Sequence, residues 1–273
     1  MPDHEPERLT DIHNHLAPGV DDGSQSPDES IRHLTAMAAD GVARIAITPH
    51  LNGTLVHEPD GFALRMDALQ HAYDELAKAA RGREGLPPIT YAQEIYLPDA
   101  GSAAAKVLWA DRRVGYPGTR YCLIEFGFQL ANDTAPIVSA VVGAGRRPII
   151  AHPERYSRGK ALVTLDEIES WRRAGAILQV NAGSLAGRFG EGIAKLGWRL
   201  VTRGMASLVA TDHHADARGY SLIEAARALD ARGASEQRQL LTHENPNRIL
   251  DDRDVVPVPG FQARWREGSE AVA

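Results

Sequence analysis

Two short stretches about two hundred residues apart carry residue types suited to metal chemistry: Asp11-Ile12-His13-Asn14-His15 and Asp212-His213-His214. In an extended chain, residues two apart face the same side. His13 and His15 can therefore aim at one point, as can Asp212 and His214, while His213 should face away and stay outside the site. Brought together, the four make a nitrogen- and oxygen-lined site of the kind that takes divalent metal. A lone histidine such as His50 is more often just a satisfied polar residue. His-x-His after the first strand combined with Asp-x-His after the last makes metal binding the favoured reading.

The same pattern recurs wherever an apolar run ends. Asp21-Asp22-Gly23 follows the first run, and spacing alone leaves Asp21 and Asp22 equivalent as candidates. Thr48-Pro49-His50 closes the second run, Gln93-Glu94 the third, Glu125 the fourth, His152-Pro153-Glu154-Arg155 the fifth and Asn181 the sixth. His13, His15, His50, His152, His213 and His214 stand at these ends out of eleven histidines in the chain, a concentration that capping and loop bridging do not require. Arg155 and Arg218 are the best anion-binding candidates, because a guanidinium can hold phosphate oxygens in a bidentate fork. The competing reading pairs them with Glu154 and Asp216.

These residues need a scaffold that gathers strand ends. Seven apolar runs have strand character: 9–13, 43–48, 89–92, 121–126, 148–152, 176–181 and 207–211. Between them lie helix-like segments, among them 28–40, with Ser26 or Asp28 as cap, and 61–80. Seven strand–helix repeats without a strongly hydrophilic linker predict one α/β domain with a parallel sheet, leaning to an irregular barrel whose functional residues gather at the C-terminal ends of the strands. The domain is expected over residues 1–254. Residues 255–273 read as a loosely attached tail anchored by Phe261 and Trp265.

Composition narrows the function classes. A hydrophobic content of 43% and a charged content of 24% are ordinary for a soluble globular protein. The formal charge of −6 argues against nucleic-acid binding but not against an anionic substrate, since bound cations make a positive pocket in an acidic protein. The single cysteine, Cys122, lies in the apolar run Tyr121-Cys122-Leu123-Ile124, where a buried inert thiol is expected. That excludes a disulfide framework and disfavours a cysteine-nucleophile phosphatase. No signal peptide or membrane span is visible, so a cytoplasmic protein is expected.

The motifs, taken together, resemble the polymerase and histidinol phosphatase (PHP) superfamily, and within it the bacterial capsule-associated protein-tyrosine phosphatases. The resemblance rests on residues 11–23, on Ala46-Ile47-Thr48-Pro49-His50, Gln93-Glu94-Ile95 and Leu123-Ile124-Glu125-Phe126. It continues through Ala151-His152-Pro153-Glu154-Arg155-Tyr156, Val180-Asn181-Ala182-Gly183-Ser184-Leu185, Ala210-Thr211-Asp212-His213-His214 and Asn245-Pro246. It implies a distorted (β/α)7 barrel of the PHP type holding three divalent metal ions, most often Mn²⁺, with Fe²⁺ or Zn²⁺ as substitutes. Carried onto matching positions, His13, His15, Glu94 and Asp212 would hold the first ion. Glu94, Glu125 and His152 would hold the second, and Asp22, His50 and His214 the third, which prefers Asp22 over Asp21. Arg155 and Arg218 would grip phosphate. Asn14 and His213 depart from the family's usual cysteine and alanine, and residues 51–59 match poorly.

The activity so implied is hydrolysis of phosphotyrosine by metal-activated water without a phosphocysteine. The substrate implied is the tyrosine-rich tail of a bacterial tyrosine kinase controlling capsule or exopolysaccharide synthesis. A small-molecule phosphoesterase, such as a histidinol-phosphate phosphatase, is the rival expectation, and a catalytically silent module docking on the kinase is a third. The resemblance leaves homo-oligomerisation open.

Overall fold

In the computed structural model, residues 8–215 and 222–264 are described. Parallel strands carry the architecture: β1 (Leu9–Asp11), β2 (Val42–Ile47), β3 (His50–Asn52), β4 (Ile89–Tyr91), β5 (Glu94–Tyr96), β6 (Tyr121–Glu125) and β7 (Arg147–Ala151). A small antiparallel hairpin, β8 (Ser157–Arg158) with β9 (Ala161–Leu162), precedes β10 (Ile177–Asn181) and β11 (Leu208–Ala210). β1, β2 and β4 form one sheet, and β3, β5, β6, β7, β10 and β11 a second. The two are parts of one distorted seven-stranded barrel, because β2 runs on into β3 past Thr48-Pro49 and β4 into β5 past Ala92-Gln93.

The ring closes between the first and last strands, just beyond their ends. Asn14 bridges His213 in parallel register. The Asp212 amide donates to the His13 carbonyl and the His15 amide to the His213 carbonyl, both at 2.7 Å. Below this seam the buried Asp11 carboxylate accepts from the Thr211 amide at 3.0 Å and from the Thr211 hydroxyl at 2.6 Å. Burial pushes the Asp11 carboxyl up to about 6 even though these bonds favour its charged form. Asn14 ties the first strand to the second through Thr48 and the Ala46 carbonyl.

Side-chain alternation separates two apolar layers. Ala46, Leu123, Ile149, Ile177 and Leu208 fill the barrel interior with Tyr116 and Tyr121. Their neighbours Ile45, Ile47, Cys122, Ile124, Ile150, Leu178 and Val209 face the helices. The same inward parity, continued along each strand, brings Glu125 in two residues after Leu123 and Gln179 two after Ile177. The helix Pro27–Ala39 shows how the outer layer forms: Ser26 caps it, Pro27 occupies its first position, and Ile31, Leu34 and Met37 are buried at helical spacing.

All seven strand runs read from the sequence are present. The structure corrects the placing of His50 and Glu94, which do not end strands but open the short strands β3 and β5. Pro49, which lacks an N–H, reads as a stop, yet its carbonyl accepts from the Glu94 amide at 3.2 Å and pairing resumes beyond it. The first part of the expected tail, residues 255–264, lies against the domain. Val258 is buried, the Phe261 amide donates to the Thr202 carbonyl, and Asn245 bonds both backbone groups of Val256. Trp265 lies outside the described residues. Among the described residues, no helix is long and apolar enough to cross a membrane.

Replacing Asp11 by alanine removes both bonds to Thr211 and leaves its donors buried. A loss of roughly 2–3 kcal/mol is expected in urea unfolding of metal-free protein, and an unchanged midpoint would show that the barrel does not rely on this link.

Candidate metal centre

The imidazoles of His13 and His15 converge as their spacing predicts, with Nε2 atoms 3.4 Å apart. What stands behind each ring decides its tautomer. His15 Nδ1 lies 2.9 Å from Asp21 Oδ2, a carboxylate that can only accept. His13 Nδ1 lies 2.9 Å from Gln179 Oε1, and the Gln179 amide nitrogen points to the Ala210 carbonyl. In their neutral, metal-binding form both rings therefore carry their proton on Nδ1 and turn an Nε2 lone pair forward.

Those lone pairs face oxygen. His13 Nε2 is 3.2 Å from Glu94 Oε1 and 3.3 Å from Asp212 Oδ1. His15 Nε2 is 3.3 Å from Glu94 Oε2 and 3.3 Å from the same Asp212 oxygen. Acceptors crowded in this way repel unless a proton or a metal ion lies between them. Donors sharing an ion at about 2.1 Å stand roughly 3.0–3.4 Å apart in octahedral or tetrahedral geometry. The residues fit a divalent metal.

Among the described residues, three donor groups each gather within 4.8 Å: His13, His15, Glu94 and Asp212; His15, Asp22, His50 and His214; and His50, Glu94 and Glu125. Asp22, not Asp21, reaches into the cluster, 3.5 Å from His50 Nε2 and 3.4 Å from His214 Nε2. Asp21 stands behind it, accepting from the His50 and Gly23 amides as well as from His15. Gly23 is required here, because a Cβ would collide with the His15 carbonyl. His50 sits 3.0 Å from Glu94, and His152 touches Glu94 at 3.1 Å but lies outside the Glu94–Glu125 group.

Asp212 and His214 converge by a different route from the extended one read in the sequence. Asp212 adopts a left-handed backbone (φ 53°), and His214 Nδ1 turns back to 2.9 Å from the Asp212 carbonyl. His213 points away and shares a hydrogen bond with His33. Arg155 pairs with Asp212 rather than Glu154, whose carboxylate accepts the Asn181 amide instead. Arg218 lies outside the described residues, as does Asp216. Asp22, His50, Glu94, Glu125, Phe128, His152, Arg155, Asp212 and His214 line an open cavity of about 270 Å³.

The electrostatics are those of a pocket that competes for cations. Burial alone would lower the His13 pKa, but Glu94 and Asp212 outweigh it and push it up to about 9. Burial alone would raise Glu94 and Asp212, yet the surrounding imidazoles hold both well below the usual carboxylate range. Glu125, desolvated and next to the Glu94 charge, is pushed up to about 7. Cys122 is fully buried on the helix side, and burial pushes its thiol up to about 12.

The family description for capsular polysaccharide synthesis, CpsB/CapC, matches residues 9–251. The chain belongs to the CpsB/CapC family. It is 30% identical to the tyrosine-protein phosphatase YwqE of Bacillus subtilis (strain 168), over 95% of this chain and 98% of that one. It is 31% identical to a putative tyrosine-protein phosphatase CapC of Staphylococcus aureus, over 76% and 77% of the two chains. Its fold matches a chain from the crystal structures of YwqE from Bacillus subtilis and CpsB from Streptococcus pneumoniae, described as unique metal-dependent tyrosine phosphatases. That match has TM-score 0.77 and 28% identity, covering 94% of this chain and 100% of the other. A likeness to an organophosphorus hydrolase of Deinococcus radiodurans, at TM-score 0.52 and 14% identity, shows shared fold alone.

Within this CpsB/CapC chain, sequence reasoning missed Gln179 and Phe128. Gln179 was within reach, since it stands two residues before Asn181 on an inward-facing strand; Phe128 carries no such periodic signal. Because His13 and Glu125 bind protons that a metal must displace, divalent-metal affinity should rise with pH between 6 and 8. The expected rise is about tenfold per unit for each proton displaced. Calorimetry in buffers of different ionisation enthalpy should show proton release on binding, and a pH-independent affinity would refute this electrostatic picture.

Proposed function

We propose that this chain is a metal-dependent protein-tyrosine phosphatase that hydrolyses phosphotyrosine on a bacterial tyrosine kinase controlling capsule or exopolysaccharide synthesis. The observation that carries the reading is the convergence of His13 and His15 Nε2 on Glu94 and Asp212, two carboxylates that line an open cavity together with the Arg155 guanidinium. Kinship with named tyrosine-protein phosphatases supports the substrate class.

His13, His15, Glu94 and Asp212 would hold one ion, Glu94 with Glu125 and His50 or His152 a second, and Asp22, His50 and His214 a third, with Mn²⁺ the expected metal. Bound divalent metal supplies Lewis acidity and a water of lowered pKa. The chain's own residues do the rest. Asp21 and Gln179 hold the two imidazoles in the tautomer that leaves Nε2 free. Arg155, one edge on Asp212, presents its remaining N–H groups to the cavity and neutralises charge on a phosphoryl oxygen. Tyrosine is a fair leaving group, with a pKa of about 10, so no dedicated general acid is assigned. Buried and protonated, Cys122 takes no part.

Chelation followed by metal readdition on a phosphotyrosine peptide tests the reading. Activity should vanish and return, Cys122→Ala should keep it, and Arg155→Ala should lower kcat/KM by about a hundredfold. Activity surviving proven metal removal would refute the metal mechanism. A strong preference for histidinol phosphate over the peptide would favour the small-molecule reading instead.

A further inference from the structure

Phe128 is one of the few large apolar side chains left open to solvent, 45% exposed, and it stands at the mouth of the cavity rather than on a helix face. Its ring stacks on His152, with centroids 5.5 Å apart and planes 26° from parallel. The Arg155 guanidinium carbon lies 4.6 Å from its centroid and 4.3 Å from that of Phe189. Even with these two contacts the side chain stays 45% exposed, among the residues that line the cavity.

The backbone beneath this ring is held firmly. The Phe128 carbonyl accepts from both the amide and the hydroxyl of Ser157, at 2.9 and 3.1 Å, and Leu130 returns a bond to the Ser157 carbonyl. Gln129 bridges Ser157 in parallel register. Before it, Gly127 takes a positive φ (87°) and packs on the Tyr96 ring, where a Cβ would stand 3.1 Å from a ring carbon. An apolar ring held rigidly at a polar mouth forms a preorganised surface for another flat apolar group.

We propose that Phe128 is the platform on which the aromatic ring of the substrate lies, so that this residue sets the preference for aryl over alkyl phosphate esters. The inference rests on the phosphatase reading above. With phosphate at Arg155 and the donor cluster, an ester oxygen leaving towards the mouth carries its substituent across the Phe128 ring. An aryl group gains offset stacking there, and the short alkyl chain of a serine or glycerol ester does not.

The test compares kcat/KM for a phosphotyrosine peptide and for glycerol 2-phosphate in wild type, Phe128→Ala and Phe128→Tyr. It also compares binding of phenylphosphonate and methylphosphonate by calorimetry on the metal-loaded protein. In Phe128→Ala the aryl-to-alkyl ratio should fall about three- to tenfold, chiefly through KM, with a matching loss of phenylphosphonate affinity; Phe128→Tyr should restore both. Equal losses on both esters would overturn the proposal, since they would mean that Phe128 acts only by holding Arg155. An unchanged ratio would overturn it while the phosphatase reading stands. Wild-type protein inactive on every phosphomonoester would overturn both.

Discussion

Asp11 and Thr211 are 200 residues apart, and the hydrogen bonds between them sit under a seam in which the Asp212 and His15 amides pair with the opposite strand. Everything at the centre depends on this closure. His13 and His15 leave the first strand and Asp212 and His214 follow the last, so neither pair contains a complete donor set. Only when the ring shuts does one Asp212 oxygen stand 3.3 Å from both imidazoles. Backbone pairing and the Asp11–Thr211 bonds beneath it set where these groups meet.

The second requirement is support from behind. Four of the forward-facing donors have another side held: His15 by Asp21, His13 by Gln179, His214 by a carbonyl and Asp212 by Arg155 and Asn181. The fold therefore meets the cost of ordering the donors before any ion arrives. His152 is not held in this way: among the described residues its buried Nδ1 has no hydrogen-bond partner. The same arrangement explains why protons and metal compete for this pocket: both answer the crowding of carboxylates around imidazoles whose tautomers are set from outside.

Much of this was legible in the sequence because period two governs both the strands and the ligand pairs. The seven apolar runs, the convergence of His13 with His15 and the inward set of Glu125 follow from it. Where the backbone leaves the extended region, the rule fails. Asp212, at φ 53°, meets His214 through a turn rather than along a strand, and His152, at φ 34°, begins the turn that carries Arg155 to Asp212. Asp21 and Asp22 could not be told apart by spacing, because their difference lies in a loop: one accepts two backbone amides and an imidazole, the other reaches the cluster. Phe128 was illegible for a related reason, since its backbone is held by Ser157, a residue on another segment.

The breaks at Thr48-Pro49 and Ala92-Gln93 tie the barrel's distortion to its chemistry. Inward parity survives both breaks: Ala46 and Ala92 face the interior, and His50 and Glu94, four and two residues on, face the site. What changes is lateral pairing. β2 is bonded to β1, but β3 pairs only with β5, with His50 in register with Glu94. The first and second strands thus part above Thr48, and the loop after His15 fills the opening. The His50 amide, which an unbroken strand would spend on its neighbour, donates instead to Asp21 at 3.0 Å. That bond seats the loop, and the loop delivers Asp22 to His50 and His214. A regular barrel would keep its edge pairing here and have no gap for Asp22 to enter, so the irregularity at Pro49 is what gives the donor cluster its outer face.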